Sequence, residues 1–271
     1  MPKMGHLVGP VLPHVENDKE NNMQYLKMLP YQVRKAIADN VPVVLPVGVV
    51  EYHAEHLPLG VDSFVCMNAV ERVEKRHPEI VVLPPFLYGC ASYAVAAPEG
   101  NGSLQVDCMH LIPMAEDLFQ SLLRIGFRNI HLFIAHQGEE FEQGMPTDLA
   151  FRTAARHTIF NWLEKHQGEG WWGTEKYADY YGGNNPFAWI QFHPFRRIPT
   201  KDCPYKFVGD HAGLCETSET MAMFPELVEL DRIDGTLWYA REGLKASAEY
   251  GEAALEAASR GIEKALGFDI E

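Results

Sequence analysis

The sequence lacks the long apolar and long basic segments that membrane spans and nucleic-acid-binding surfaces require. Its longest apolar runs, such as residues 41–50, reach about half of the roughly 20 residues that cross a bilayer, and its N-terminal residues contain no apolar core of the signal-peptide type. Its 23 Lys and Arg residues are outnumbered by 37 Asp and Glu residues, which gives a formal charge of −14. Because nucleic-acid binding draws on clustered basic residues, we expect no nucleic-acid partner. The short apolar runs and the N-terminal residues predict a soluble protein that enters no membrane and is not exported.

Paired cysteines and the signatures of nucleotide and serine-hydrolase chemistry are missing as well. The five cysteines are scattered without a C-x-x-C pair, and an odd number cannot all pair within one chain, so reduced thiols in a cytoplasmic location are expected. The P-loop, G-x-G-x-x-G and G-x-S-x-G patterns are absent from the sequence. No repeat or Ser/Gly-rich linker divides the 271 residues, and their 46% apolar share is ordinary for a globular protein, which predicts a single domain over residues 1–271.

Apolar residues are arranged in alternating helix-like and strand-like segments. Helical spacing covers five segments, residues 25–40, 63–77, 111–127, 146–166 and 237–266. Three continuous apolar runs of strand length alternate with them, at residues 41–50, 79–86 and 129–135. Such runs are typical of strands buried on both faces, so the pattern predicts an α/β protein whose mainly parallel sheet is covered by helices on its two faces.

Side chains of the metal-ligand type follow directly after the first predicted strand. Ligands bind beyond the carboxyl ends of the strands in such sheets, and this end carries Glu51, His53 and, after a Pro-Leu-Gly turn, Asp62. Side chains two residues apart in an extended chain share a face, so Glu51 and His53 can converge on one point. The turn would let Asp62 fold back onto them, which predicts a cluster of carboxylates and imidazole at this edge of the sheet.

The third predicted strand brings a second imidazole to the same edge. It ends just before His136, whose acidic neighbours include Glu139. Carboxylates together with neutral imidazoles suit Zn²⁺ or Mn²⁺, and one carboxylate can bridge two such ions about 3.5 to 4 Å apart. Any one of these side chains could be an ordinary solvated loop residue, since Asp, Glu and His are common in loops. The coincidence of four ligand-type groups at the two expected strand ends favours a metal site over that interpretation.

A third polar cluster, residues 209–218, precedes a short apolar stretch. Capping of a helix by Thr217 or Ser218, with Glu216 complementing the helix dipole, is a purely structural explanation for part of it. That explanation does not account for Asp210 and His211 upstream. On these grounds the cluster is a candidate for either helix capping or catalysis.

These motifs resemble those of the creatininase (creatinine amidohydrolase) family of dinuclear metallohydrolases. LPVGVVEYHAEHLPLGVD (residues 45–62) resembles the N-terminal signature in which Glu, His and a following Asp are metal ligands, and HAGLCETS (residues 211–218) resembles the His-Ala-Gly-x-x-Glu-Thr-Ser signature. His136 falls where the family has an Asn-Gly-His segment after a strand. The resemblance implies a three-layer α/β/α sandwich around a mainly parallel central sheet, two divalent ions per chain, Zn and/or Mn, and a homo-oligomer, which in creatininase itself is a hexamer.

The fifth metal ligand is open between two glutamates. The resemblance assigns the other four ligands to Glu51, His53, Asp62 and His136. Creatininase carries a metal-binding Glu two residues after the histidine, where Gly138 stands here, with Glu139 one place later. Relatives that lack this Glu use the position of Glu216, so Glu216 is favoured, and Glu139 is the second choice and otherwise a candidate for contacting the substrate.

The resemblance also implies the chemistry. A hydroxide held by the two ions attacks the carbonyl of a small cyclic polar substrate, and His211 moves a proton to the departing atom. The favoured function is hydrolysis of a cyclic amide or related C–N bond. The alternative is C–C hydrolysis of 3-dehydro-scyllo-inosose in inositol breakdown, and the third candidate is a non-enzymatic metal-binding module. In the aromatic stretch of residues 170–193, Trp189 is a candidate for covering the substrate, with packing or a subunit contact as the structural alternative.

Overall fold

A four-stranded parallel sheet lies at the centre of the structure, a computed structural model that describes residues 23–136 and 146–270. The strands are β1 (Val43–Val47), β2 (Val81–Val82), β3 (Ile130–Ile134) and β4 (Ile190–Pro194). Their order is β2-β1-β3-β4, and each neighbouring pair is parallel. Val47 is paired with Ile134, which is paired with Pro194, so the carboxyl ends of β1, β3 and β4 lie level at one edge of the sheet.

Six α-helices flank the sheet in the described part of the chain. They are α1 (Pro30–Ala38), α2 (Val61–Arg76), α3 (Cys108–Ile125), α4 (Pro146–Gln167), α5 (Leu214–Met223) and α6 (Ala248–Leu266). Their ends have local causes, of which α3 gives an example: the side chain of Asp107 accepts a hydrogen bond from the Met109 amide at 2.8 Å where the helix begins. Gly126, with a φ of 124°, ends the same helix because glycine tolerates that conformation.

Different helices cover the two faces of the sheet. On one face Leu45 packs in a cluster with Phe119 of α3 and Phe151 of α4. On the other face Val44 packs in a cluster with side chains of α2 and α6, among them Leu255. Neighbouring residues of a strand point to opposite faces, so the continuous apolar run of β1 supplies both clusters. The prediction of an α/β/α sandwich with a mainly parallel central sheet is confirmed.

Two strands differ from the predictions. β2 is much shorter than the predicted residues 79–86, because two prolines follow it and proline has no N–H to donate to a neighbouring strand. Only an isolated bridge between Val47 and Phe86 continues the pairing there. β4 was not predicted at all, since it ends the aromatic stretch of residues 170–193 and contains two polar residues, Gln191 and His193.

Two helices also differ from the predictions. Helical spacing starts at residue 25, but α1 begins only at Pro30. The predicted helix of residues 237–266 is divided into a 3₁₀ segment, Trp238–Lys245, and α6, because the Ser247 side chain caps α6 by accepting a hydrogen bond from the backbone at 3.2 Å. Among the described residues, none of the helices has both the length and the apolar character needed to cross a bilayer.

Candidate metal centre

The loop after β1 and the first turn of α2 carry three side chains of the candidate site. The Glu51 amide donates to the Leu59 carbonyl at 3.0 Å, which closes the loop and returns its end to its beginning. Within the loop Ala54 adopts a left-handed φ of 59°. Asp62 then lies in the first turn of α2, where a carboxylate also complements the helix dipole. Glu51, His53 and Asp62 are all buried as a result.

Three sets of candidate ligand side chains converge here, and two of them share one carboxylate. In the first set, His136 Nδ1 lies 3.5 Å from Glu51 Oε2 and 3.3 Å from Asp62 Oδ2. In the second, His53 Nε2 lies 3.7 Å from Asp62 Oδ2 and 3.4 Å from Glu216 Oε2. Within each set the candidate ligand atoms all lie within 4.8 Å of one another. The structure therefore brings together the four candidate ligands predicted at the strand ends, with Glu216 beside them and Asp62 common to both sets.

Two candidate ligand atoms of this cluster lack hydrogen-bond partners. His53 Nδ1 donates to the backbone carbonyl of Glu51 at 3.0 Å, which leaves Nε2 as the bare ring nitrogen. Among the described residues, His53 Nε2 and Asp62 Oδ2 are buried without a hydrogen-bond partner. Metal-ligating histidines usually donate their other ring N–H to a carbonyl or carboxylate, as His53 does. The donor set and its unpartnered atoms thus fit divalent ions bound by carboxylate and imidazole.

The crowding of carboxylates is unfavourable as long as no cation offsets it. Burial first, and the neighbouring Asp62 next, raise the pKa of Glu216 well above its ordinary value. Burial also raises the pKa of Glu51. Burial acts in the same direction on Asp62, but His53 and His136 outweigh it and hold the pKa of Asp62 below its ordinary value. A divalent ion would remove much of this cost, because its charge is the largest in such a site.

His211 lies beside the two sets and is more exposed than His53. Its side chain is 24% exposed, its Nδ1 lies 3.9 Å from Glu51 Oε2, and its ring centroid lies 4.3 Å from that of His53. Nε2 donates to the backbone carbonyl of Tyr52 at 2.9 Å, so Nδ1 is the nitrogen that can exchange a proton. Burial, and then His53, lower the pKa of His211 to about 4, which makes the ring neutral at pH 7. His211 also forms a third set of candidate ligands with Glu51 and His53, whose ligand atoms all lie within 4.8 Å of one another.

In the third polar cluster, Asp210 caps the start of α5. The side chain of Asp210 accepts hydrogen bonds at 2.7 and 3.2 Å from two amides of the first turn of the helix. Capping therefore accounts for Asp210. The structural alternative of capping by Thr217 or Ser218 does not occur, since both residues lie inside the helix. The Glu216 carboxylate is oriented by the Ala212 amide, which donates to its Oε2 at 2.7 Å.

Two serines support the site in a way that was not predicted from the sequence. The Ser92 amide donates to Glu51 Oε1 at 3.0 Å, and Ser103 Oγ accepts from the Tyr52 amide at 2.9 Å. Both serines lie in residues 88–105, between β2 and α3. This segment therefore covers the loop that carries Glu51 and fixes one oxygen of its carboxylate.

The structure does not bring Trp189 to the cluster. Trp189 directly precedes β4 and so lies at the amino-terminal edge of the sheet, whereas the candidate site lies at the carboxyl-terminal edge. Its ring packs on the core and lies 4.8 Å from the Arg128 guanidinium carbon. Within this chain, Trp189 therefore packs against the core, which is the structural alternative given for the aromatic stretch. Glu139 lies outside the described residues.

Sequence comparisons connect the chain with known proteins. The family model Creatininase, described as creatinine amidohydrolase, matches residues 27–266. A protein named creatinine amidohydrolase from Pseudomonas putida is 28% identical over 269 residues, an alignment that covers 87% of this chain and 92% of the relative. The family match runs through all three motifs that carry the candidate site.

Solved structures of creatininase share the fold. A glutamate-to-glutamine mutant of creatininase in its Zn–Zn form has a TM-score of 0.65 and 23% identity, with 90% of this chain and 97% of that chain covered. The Mn form of creatininase has a TM-score of 0.63 and 22% identity, with the same coverage. At these identities the likeness concerns the fold, and the candidate site stands on its own geometry.

Proposed function

The chain belongs to the creatininase family, a family of hydrolases, and on that premise we propose that it is a dinuclear metallohydrolase that opens a small polar ring. The proposed cofactors are two divalent ions per chain, Zn and/or Mn. The Zn–Zn and Mn forms of the structurally similar creatininase support this choice, as does the mixture of carboxylate and imidazole in the candidate site.

The observation that carries the proposal is the sharing of Asp62 between two ligand sets. The first ion would be held by Glu51, Asp62 and His136, and the second by His53, Asp62 and Glu216. A carboxylate common to two ions is the arrangement found in dinuclear hydrolases. Ions bound there supply Lewis acidity, which acidifies water and polarises a carbonyl group at neutral pH.

His211 is the residue we propose to move a proton during ring opening. Its Nε2–H is held by the Tyr52 carbonyl, so the ring keeps its orientation while Nδ1 would take up a proton from the attacking water and donate it to the departing nitrogen. The ring also contacts Tyr239 at 5.1 Å between centroids, and the Tyr239 hydroxyl is anchored to the Val95 carbonyl at 3.1 Å. These contacts limit the room beside His211, which favours a small substrate over a polymer.

The proposed substrate is a small polar cyclic amide, and the bond cleaved is its C–N bond. Creatinine amidohydrolase of Pseudomonas putida, at 28% identity, supports that bond class without specifying the ring. The C–C hydrolysis of 3-dehydro-scyllo-inosose needs the same carbonyl activation, with an enolate departing in place of an amine. This reaction is therefore the alternative outcome of the substrate assay described next.

The test combines metal content with substrate screening. Elemental analysis of the purified protein should find close to two divalent ions per chain, and chelation followed by addition of Zn²⁺ or Mn²⁺ should abolish and restore activity. The restored protein is assayed against creatinine, other small lactams and the inosose. Metal-dependent lactam opening supports the proposal, and turnover of the inosose alone would replace it with the alternative. Absence of bound metal, or turnover only of linear peptides or phosphoesters, would overturn both.

Two further expectations from the sequence, apart from the proposed reaction, remain predictions. These are the single domain over residues 1–271 and the homo-oligomer, a hexamer by resemblance to creatininase. Size-exclusion chromatography with light scattering measures the oligomer order, and limited proteolysis tests whether the chain is cut into stable parts.

A further inference from the structure

His56 is a buried histidine beside the candidate metal centre that belongs to neither ligand set. It is 1% exposed, and its Nε2 lies 2.9 Å from Oγ1 of Thr217, a residue 161 positions further along the chain. Its backbone carbonyl accepts from the Glu229 amide at 3.0 Å, which anchors the backbone from which the ring extends. Thr217 is 0% exposed, so water does not compete for the bond between the two side chains.

The direction of this hydrogen bond follows from its surroundings. Thr217 Oγ1 donates to the Ala212 carbonyl at 3.3 Å, so its single proton points there. The hydroxyl oxygen is then the acceptor for the Nε2–H group of His56. The opposite tautomer would leave a buried Nδ1–H without an acceptor among the described residues, and orphaned N–H groups are rarer than orphaned acceptors.

Ala212 connects this bond to the metal centre. It is fully buried and holds a left-handed φ of 51°, a conformation that costs free energy for any residue other than glycine. In this conformation its amide donates to Glu216 Oε2 at 2.7 Å, and the same oxygen lies 3.4 Å from His53 Nε2. The hydrogen bond from Thr217 to the Ala212 carbonyl is therefore one of the contacts that hold the bend in place.

We propose that His56 is a positioning residue that keeps the Glu216 carboxylate directed at its ion through Thr217 and Ala212. The proposal rests on Glu216 being a metal ligand, as in the proposed function. His56 touches no reacting atom; it joins the loop that carries His53 to the start of α5, which carries Glu216. Its loss frees the bend at Ala212 and turns the carboxylate away. Only the ion held by the set that contains Glu216 should be weakened.

The test compares Zn²⁺ binding by Thr217→Val and Thr217→Ser, after chelation, in competition with a chromophoric chelator. Valine keeps the shape of threonine but has no hydroxyl, and it should weaken one of the two Zn²⁺ sites about 10- to 100-fold, the usual effect of losing a partner behind a metal ligand. The site formed by Glu51, Asp62 and His136 should keep its affinity, so that the chain binds one ion where the wild type binds two. Serine keeps the hydroxyl and should bind both ions as the wild type does.

Thr220→Val is the matched control. Thr220 is also fully buried in α5, and its hydroxyl donates to the backbone carbonyl of Glu216 at 2.8 Å. Its replacement should lower the urea midpoint of unfolding but leave both Zn²⁺ affinities unchanged, because this bond does not reach the bend at Ala212.

A second pair of variants keeps the proposal testable if Thr217→Val does not fold. His56→Gln retains a donor near the position of Nε2 and should bind the second ion more tightly than His56→Leu, which retains none. The double variant of His56→Leu with Thr217→Val should bind no more weakly than the weaker of the two single variants, because both remove the same hydrogen bond.

Three results would overturn the proposal. They are wild-type affinity for both ions in folded Thr217→Val, an equal loss in Thr220→Val, and loss of both ions together, since Glu216 belongs to one set only. A wild-type protein that binds no divalent ion would instead refute the proposed function, so the two failures are distinguishable.

Discussion

Replacement of Asp62 by asparagine should remove both ions at once while the fold survives. Asp62 Oδ2 lies 3.3 Å from His136 Nδ1 and 3.7 Å from His53 Nε2, and it is the one carboxylate common to both sets. Asparagine keeps the shape but removes the negative charge, so each set is left with a single carboxylate, Glu51 or Glu216. Because divalent ions draw their affinity from such charges, neither set should hold its ion at micromolar metal.

The magnitude follows from mass action. An ion present at about 100 times its dissociation constant stabilises the folded state by about 2.7 kcal/mol, so two independent ions contribute about 5.4 kcal/mol. With an unfolding entropy of about 2.1 cal/mol/K per residue, the 271 residues give about 570 cal/mol/K. Division of the two values predicts that metal raises the Tm of the wild type by about 9 °C, and Asp62→Asn should lose nearly all of that rise.

The assay is thermal unfolding of chelator-treated protein with and without added Zn²⁺, together with elemental analysis of the loaded samples. Asp107→Asn is the matched control, because Asp107 caps α3 through its side chain and belongs to neither ligand set. It should keep two ions and the full rise in Tm. If Asp62→Asn also kept both, Asp62 would not be a ligand, and loss of only one ion would refute its shared position.

Three further predictions concern other parts of the molecule. His211→Ala should keep both ions and lower kcat about 10²- to 10⁴-fold, and loss of metal would make His211 a ligand instead. Burial, with His193 next, lowers the pKa of His131 to about 3. The stability that the neutral ring contributes is therefore present above about pH 6.5 and declines as the pH falls below it, by about 2 kcal/mol at pH 5. In urea unfolding, His131→Gln should remove about 2 kcal/mol of the pH dependence between pH 6.5 and pH 5. Gly251→Ala should cost about 3 kcal/mol or more, because its Cβ would overlap the Ser218 carbonyl, whereas Gly173→Ala, which meets open space, should leave the urea midpoint unchanged.

The strands that could be predicted from the sequence are those buried on both faces. β1 and β3 are continuous apolar runs with five buried residues each. A strand of this kind can be recognised from its own residues, without knowledge of the strands that pair with it. β4 pairs only with β3 among the described strands, and only its first residue is fully buried. Its polar Gln191 and His193 therefore gave it the composition of a loop. An edge strand of this kind is defined by its partner more than by its own residues.

The same distinction applies to the candidate site. Glu51, His53, Asp62 and His136 could be predicted because they follow strands whose carboxyl ends share one edge. Glu216 reaches the cluster from α5, whose position depends on its packing against α6, and only the family resemblance indicated it. The contact of His56 with Thr217 could not be predicted from any local pattern, because it joins residues 161 positions apart in the folded chain.

Three acidic side chains at and before α5 compete for the role of metal ligand, and their hydrogen bonds decide between them. Glu219 is 0% exposed and receives two hydrogen bonds of 2.8 Å from the Arg197 guanidinium. Asp210 is occupied by the two amides that it caps. Glu216 receives one hydrogen bond, from an amide that directs it toward His53, and so keeps spare acceptor capacity on the side of the cluster. Because Arg197 is buried and pairs with Glu219, it offsets a charge that would otherwise add to the repulsion around Glu216. These hydrogen bonds support the proposal that Glu216 is the metal ligand of this group.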